Sequence, residues 1–461
     1  MDAVFEHFAK GQVESNGYEL SKSLSPSLPN EQLRAIWKSC NTHSVKGVVK
    51  RHVHASLDRM NVFAAKEDPK YVQGWIDVYT AYWKAVGDLH AARDPASDSK
   101  GSQLLWTKVY ESWRELLNTI LRGYNSLGFE AWTIPCLYVV LKHLREFALK
   151  ADFERNNSSS VDTAAQSTFQ DDFNPESDQN RVLEDCARQL NRAFNACLTD
   201  RSELENSRKI GIYYVINLLF KTYFKLNSAS LSKNVLKALQ AGRGDMLPLE
   251  AFPKSQQVTF KYYEGLLCFL EENYVQAEEH LTQAWNLCHK DALRNKELIL
   301  TYLVPCHLLT THTLPSRKLL EPYPRLQKLF LPLAKHIKKG ELHAFDLDLL
   351  ENEDEFVRRR IYLTLERGRD IALRNLLRKV FIVGGFEEPK AEGDKPVRRT
   401  RIPIAEFAAA ISLGSQETID NDEVECFLAN MIYKGLMKGY IARERSMVVL
   451  SKSGAFPGTG V

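Results

Sequence analysis

TIDNDEVECFLANMIYKGLMKGYIARERSMVVLSK, residues 418–452, changes its hydrophobic period halfway along, and that change decides the fold of the C-terminal end. Asp420 and Glu423 stand at capping-box spacing, and Val424, Phe427, Leu428, Met431 and Ile432 then recur three and four residues apart, which predicts a helix that Gly435 stops. Beyond it, residues 439–442 and 447–450 carry β-formers on either side of the polar turn Arg443 to Ser446, which predicts a hairpin. An apolar helical stretch, IPIAEFAAAISL (402–413), comes before the pair. Helix, helix, two-stranded ribbon is the order of a winged helix.

Upstream the pattern is helical. VTFKYYEGLLCFLEENYVQAEEHLTQAWNLC, residues 258–288, places Gly265, Tyr274, Ala277, Leu281 and Ala284 at the offsets of a tetratricopeptide-type hairpin. The small residues let two antiparallel helices approach closely, and Tyr274 and Leu281 fill the space between them. Such hairpins stack, because one alone cannot bury its apolar face. Leu104, Leu105, Val109, Trp113, Leu116, Leu117, Ile120 and Leu121 form a further single-face stripe, and similar stripes run through 182–198 and 210–225.

Two stretches break the periodicity. Residues 153–180 fill with Ser, Asn, Asp and Gln, as a flexible surface loop does, and residues 387–403 combine three prolines with mixed charge. The expected organisation is a helical region at 1–152, a loop at 153–180, helical repeats at 181–335, and a last unit at 336–461 interrupted by the basic, Pro-rich loop. The fold class is mainly α: stacked helical hairpins followed by a winged helix.

At 461 residues the chain exceeds one core. Its 61 Lys and Arg against 58 Asp and Glu leave a net charge of only +3, so any surface for a polyanion must be local. The opening residues carry acids among apolar positions, and the longest apolar runs fall short of a membrane span, so a soluble intracellular protein is expected. The eight cysteines lack Cys-x-x-Cys spacing and read as reduced and buried. His52 and His54 lack the downstream ligands of a metalloprotease, and Arg243-Gly244-Asp245 is a loop tripeptide. With no nucleophile elbow, phosphate-binding loop or zinc half-site, no catalysis, metal or cofactor is expected.

The segments NLLFKTYFKLNSASLSKNVLKAL (217–239), VTFKYYEGLLCFLEENYVQAEEHL (258–281), NKELILTYLVPCHLLTTHTLP (295–315) and DEVECFLANMIYKGLMKGYI (422–441) resemble the PCI proteins related to signalosome subunit twelve and to the THP-type subunit of the nuclear messenger-RNA export complex. The resemblance spans roughly 181–455. It implies a non-catalytic scaffold in the nucleus, with a cytoplasmic presence left open. It also implies pairing with a second PCI-domain protein and with a small acidic, largely disordered protein of the DSS/SEM type. In the export branch it further implies binding of an RNA or DNA backbone across the winged helix.

Two basic groups fit these roles. Arg398, Arg399 and Arg401 precede the winged helix, and Lys434, Lys438, Arg443, Arg445 and Lys452 lie on its last helix and ribbon, where flexible cations reach phosphates. The acids Asp420, Asp422, Glu423 and Glu425 oppose insertion of that helix into a major groove, so backbone contact from the wing side is expected. The second group, Arg358, Arg359, Arg374, Arg378 and Lys379, is expected on one long helix beginning near Arg358, as either a solvated face or a groove for an acidic chain. A scaffold that binds only acidic proteins, without nucleic acid, is the competing expectation.

Overall fold

The stripe at 104–121 folds as a helix, Leu105–Ser126, whose buried face carries Val109, Trp113, Leu116, Leu117, Ile120 and Leu121. The Trp113 indole N–H donates to the Val140 carbonyl at 2.9 Å, and its ring meets Phe147 edge-on at 5.1 Å, so a buried polar atom is satisfied inside an apolar contact. The computed structural model describes residues 2–27, 30–40, 45–59, 68–93, 104–162, 180–387 and 398–458. The chain divides into two compact units, residues 1–260 and 261–461, and the division falls within the helix Lys254–Leu270, inside the span expected as one set of repeats.

In the first unit, antiparallel helices enclose a core rich in aromatics. Phe5, Phe8, Trp75, Tyr79, Tyr82 and Trp83 are all buried. The helix Ile134–Asp162 corrects one expectation, because it continues well past residue 153, where a loop was expected to begin. The cause is tertiary. Asp152 accepts the Val182 and Leu183 amides at 2.9 and 2.8 Å, and Glu154 accepts the Leu105 and Trp106 amides at 2.9 and 3.0 Å. Two carboxylates on one helix thus cap the N-termini of two others, satisfying amides that have no partner within their own helices. The rest of the expected loop, 163–179, lies outside the described residues.

The part of the helix Lys254–Leu270 that belongs to the second unit forms a hairpin with Tyr274–Leu287 and has the close approach that its small residues imply. Ala277, Leu281 and Ala284 are fully buried, and a Cβ built on Gly265 would lie 2.7 Å from Leu281 Cγ. Gly265→Val should therefore separate the two helices and destabilise the unit by about 1–3 kcal/mol. A urea melt checks this, and an unchanged midpoint would contradict the packing. Tyr274 is half-buried rather than a groove filler; it packs on Phe269 at 5.5 Å and reaches the Thr364 hydroxyl at 3.4 Å.

Among the described residues no helix is long and apolar enough to cross a membrane. Cys136, Cys186, Cys197, Cys288 and Cys306 are buried, and burial pushes the Cys197 and Cys306 thiols up to about 12. Cys426 departs from the expectation of burial and is exposed.

Candidate nucleic-acid interface

The winged helix is assembled as its local signals imply. Asp420 caps the helix Asn421–Tyr433, its side chain accepting the Glu423 amide at 2.8 Å. At the other end Gly435 takes a φ of +71°, and the Leu436 amide reaches back to the Met431 carbonyl at 3.0 Å, which reverses the chain into the ribbon. The helix buries Val424, Leu428 and Met431, while Phe427 and Ile432 are only half-buried, so Phe427 sits at the edge of the apolar face and not at its centre. The preceding helix spans Ile404–Ser415.

The sheet has three strands, in the order β1 (Arg401–Pro403), β3 (Met447–Leu450), β2 (Gly439–Ala442), all antiparallel. Arg401 pairs with Val449, and Val449 with Tyr440. Side chains opposite one another share a face, so one face carries Ile402, Val448 and Leu450, all buried, and the other carries Arg401, Val449, Met447 and Tyr440. Lys438 continues the outward row of β2, because its carbonyl accepts the Ser451 amide at 2.9 Å and extends the ladder.

Of the eight cations expected at this interface, Lys452 is exposed just beyond the ribbon, and the other seven divide into two groups. Arg401, Lys438 and Arg445 are exposed, and among the described residues no carboxylate pairs with them. Arg443 is also exposed, but its guanidinium lies 3.4 Å from Asp422 and 3.4 Å from Glu425, which ties the wing tip to the acidic start of the last helix. The other three are engaged internally. Arg398 lies over the Phe381 and Phe386 rings and donates to the Ile382 carbonyl at 3.1 Å. Arg399 pairs with Glu406 at 2.9 Å, and Lys434 with Asp370 at 2.6 Å. The exposed cations without a carboxylate partner among the described residues accordingly lie on the outward sheet face and the wing, and Tyr440 shares that face, which charge alone did not reveal.

The second basic group does not form one helix. Glu353–Arg358, Tyr362–Glu366 and Gly368–Val383 are separate helices, and the chain breaks at Arg360, whose φ is +59°. Arg358 pairs with Glu355, as does Arg359 at 2.9 Å, and the Lys379 ammonium donates to the Lys339 carbonyl. Arg374 is not a surface residue at all, being 2% exposed. Its guanidinium donates to the Asn375 side-chain oxygen at 2.7 Å and to the Phe456 and Pro457 carbonyls at 3.4 and 2.9 Å, holding the C-terminal tail against its helix. Burial, together with the nearby charge of Arg378, draws the Arg374 pKa below its ordinary value. Of this group Arg378 is exposed with no paired carboxylate among the described residues. No cluster of three or more His, Cys, Asp or Glu side chains able to hold a metal occurs among the described residues.

Comparison with known proteins agrees with this architecture. The family model for the PCI domain matches residues 333–452, which include the whole winged helix. A protein CSN12 homolog of Neurospora crassa is 70% identical over the full length of both chains. One of Schizosaccharomyces pombe is 36% identical over 99% of this chain and 97% of its own. PCI domain-containing protein 2 of Danio rerio is 31% identical over 76% of this chain and 79% of its own. With a helical body, a C-terminal winged helix and full-length identity of this order, the chain belongs to the PCI-domain family of CSN12 homologs.

Proposed function

We propose that this protein is a non-catalytic scaffold subunit of a nuclear complex for transcription-coupled messenger-RNA processing or export, and that it binds an RNA or DNA backbone through its winged helix. Family membership supports the scaffold role. The observation that carries the nucleic-acid role is the unpaired exposure of Arg401, Lys438 and Arg445 on the wing and outward sheet face, among the described residues. Phosphate contacts need such flexible cations and carry no base information. The acids at the start of the last helix, with Arg443 held against them, disfavour that helix as a reader of bases.

The partners in this reading are a second PCI-domain protein and a small acidic, disordered DSS/SEM-type chain. An acidic chain that orders on binding stabilises the state it binds. A saturating amount of the acidic partner should therefore raise the melting temperature by several degrees, and no shift would remove that partner. The alternative, a scaffold that touches only proteins, draws on the internal pairing of Arg398, Arg399 and Lys434. Titrating labelled RNA into the chain purified with its acidic partner separates the two. Salt-sensitive binding supports the first reading, and its absence at low salt supports the second.

A further inference from the structure

We propose that the outward face of the three-stranded sheet is a stacking platform for single-stranded nucleic acid, with one base on the Tyr440 ring and the flanking phosphates on Arg401, Lys438 and Arg445. The proposal rests on the nucleic-acid reading above and adds to it the strand state of the ligand and the residue that selects it.

Three observations lead to the platform. Tyr440 is 63% exposed although it lies within a paired strand, and among the described residues no aromatic ring packs against it. Its cross-strand neighbour is Val449 and the next residue in the row is Arg401, so a phenol, a half-buried aliphatic and a free guanidinium lie in one line across the sheet. With strands about 4.8 Å apart, that line places the Arg401 and Tyr440 backbones about 10 Å from each other. Lys438, the residue just before β2, precedes Tyr440 by two residues on the same face, so the ring is flanked by cations both along the chain and across the sheet.

The chemistry of this arrangement selects a single strand. In a duplex the faces of the bases are covered by their neighbours, and only edges and backbone are offered. A ring standing on a sheet face reaches a base only when that base is unstacked. Stacking is tolerant of sequence because every base has a π-face, and flanking cations hold the backbone while the base settles. A purely structural tyrosine would gain nothing from this ring of cations, and a backbone-only site would not need the ring.

The test uses the full chain, mixed-sequence single-stranded RNA and DNA oligonucleotides, and a duplex of the same length. Tyr440→Val keeps a β-former in the strand and removes the ring; Tyr440→Phe keeps the ring. Tyr440→Val should weaken single-strand binding by about tenfold, leave duplex binding unchanged and leave the salt dependence unchanged, since no phosphate contact is lost. Tyr440→Phe should bind as the parent does. As a check that does not depend on the folding of a variant, a bromouridine-substituted strand photocrosslinked to the parent protein should attach to the peptide containing Tyr440. If Tyr440→Val binds single strands as the parent does, or loses single strand and duplex equally, or if crosslinks fall only elsewhere, the platform is wrong. Loss of binding on charge reversal with Tyr440→Val unaffected would leave the nucleic-acid reading standing without the platform. A parent that binds no nucleic acid at all ends both.

Discussion

Changing Arg401, Lys438 and Arg445 together to Glu should weaken binding of RNA or DNA of any sequence by about 100-fold or more at 0.1 M salt. The size follows from counterion release: each lost phosphate contact to a single strand removes about 0.7 log units of affinity per tenfold change in salt, so three contacts remove about two at 0.1 M relative to 1 M. Reversal adds repulsion to the loss. The three side chains lie on the wing and outward face, away from Ile402, Val448 and Leu450, so the variant should fold as the parent does. The same change made at Arg399 and Lys434, which are paired with Glu406 and Asp370, should cost far less binding. Electrophoretic mobility shifts at fixed salt compare the two variants directly, and equal losses would mean that internal pairing does not divide the seven cations as described.

The second large effect concerns stability. Leu428→Ala should destabilise the winged helix by about 2–5 kcal/mol, because Leu428 is fully buried at the centre of the helix face it shares with Val424 and Met431, and truncation leaves a cavity. Phe427→Ala, one residue earlier, should cost distinctly less despite the larger side chain, since Phe427 is only half-buried. Thermal melts followed by proteolysis of the C-terminal segment would rank the two. A larger loss for Phe427→Ala would show that the helix presents a different face.

The contrast between these neighbours shows what the sequence carries and what it does not. A three-and-four spacing marks a helix and its apolar side, so the 421–433 helix, its Asp420 cap and its Gly435 stop were all legible. Such a stripe is broader than the buried strip, and only packing decides which members sit at its edge. The hairpin at 439–450 was legible from alternation, whereas β1 is three residues long, too short to alternate visibly, and it puts Arg401 onto the sheet. Gly265 could be read because close approach needs a residue without a side chain. Arg374 could not, because its partners are carbonyls of the distant tail and arginine is rarely buried so completely. The helix that runs past residue 153 was missed for a related reason: Glu154 and the polar residues after it look like loop composition until the amides that Glu154 caps are brought to it. At the interface, charge identified the region, but only the folded pairing separates Arg401, Lys438 and Arg445 from the cations engaged elsewhere.

The most direct test of a wing-side phosphate site is the salt dependence of single-stranded RNA binding, measured by fluorescence anisotropy for the parent and for the Arg401, Lys438, Arg445 triple reversal. A log–log slope about 2 units shallower for the variant, together with weaker binding at every salt concentration, is what three lost contacts produce. Identical slopes and affinities for the two proteins would contradict the site.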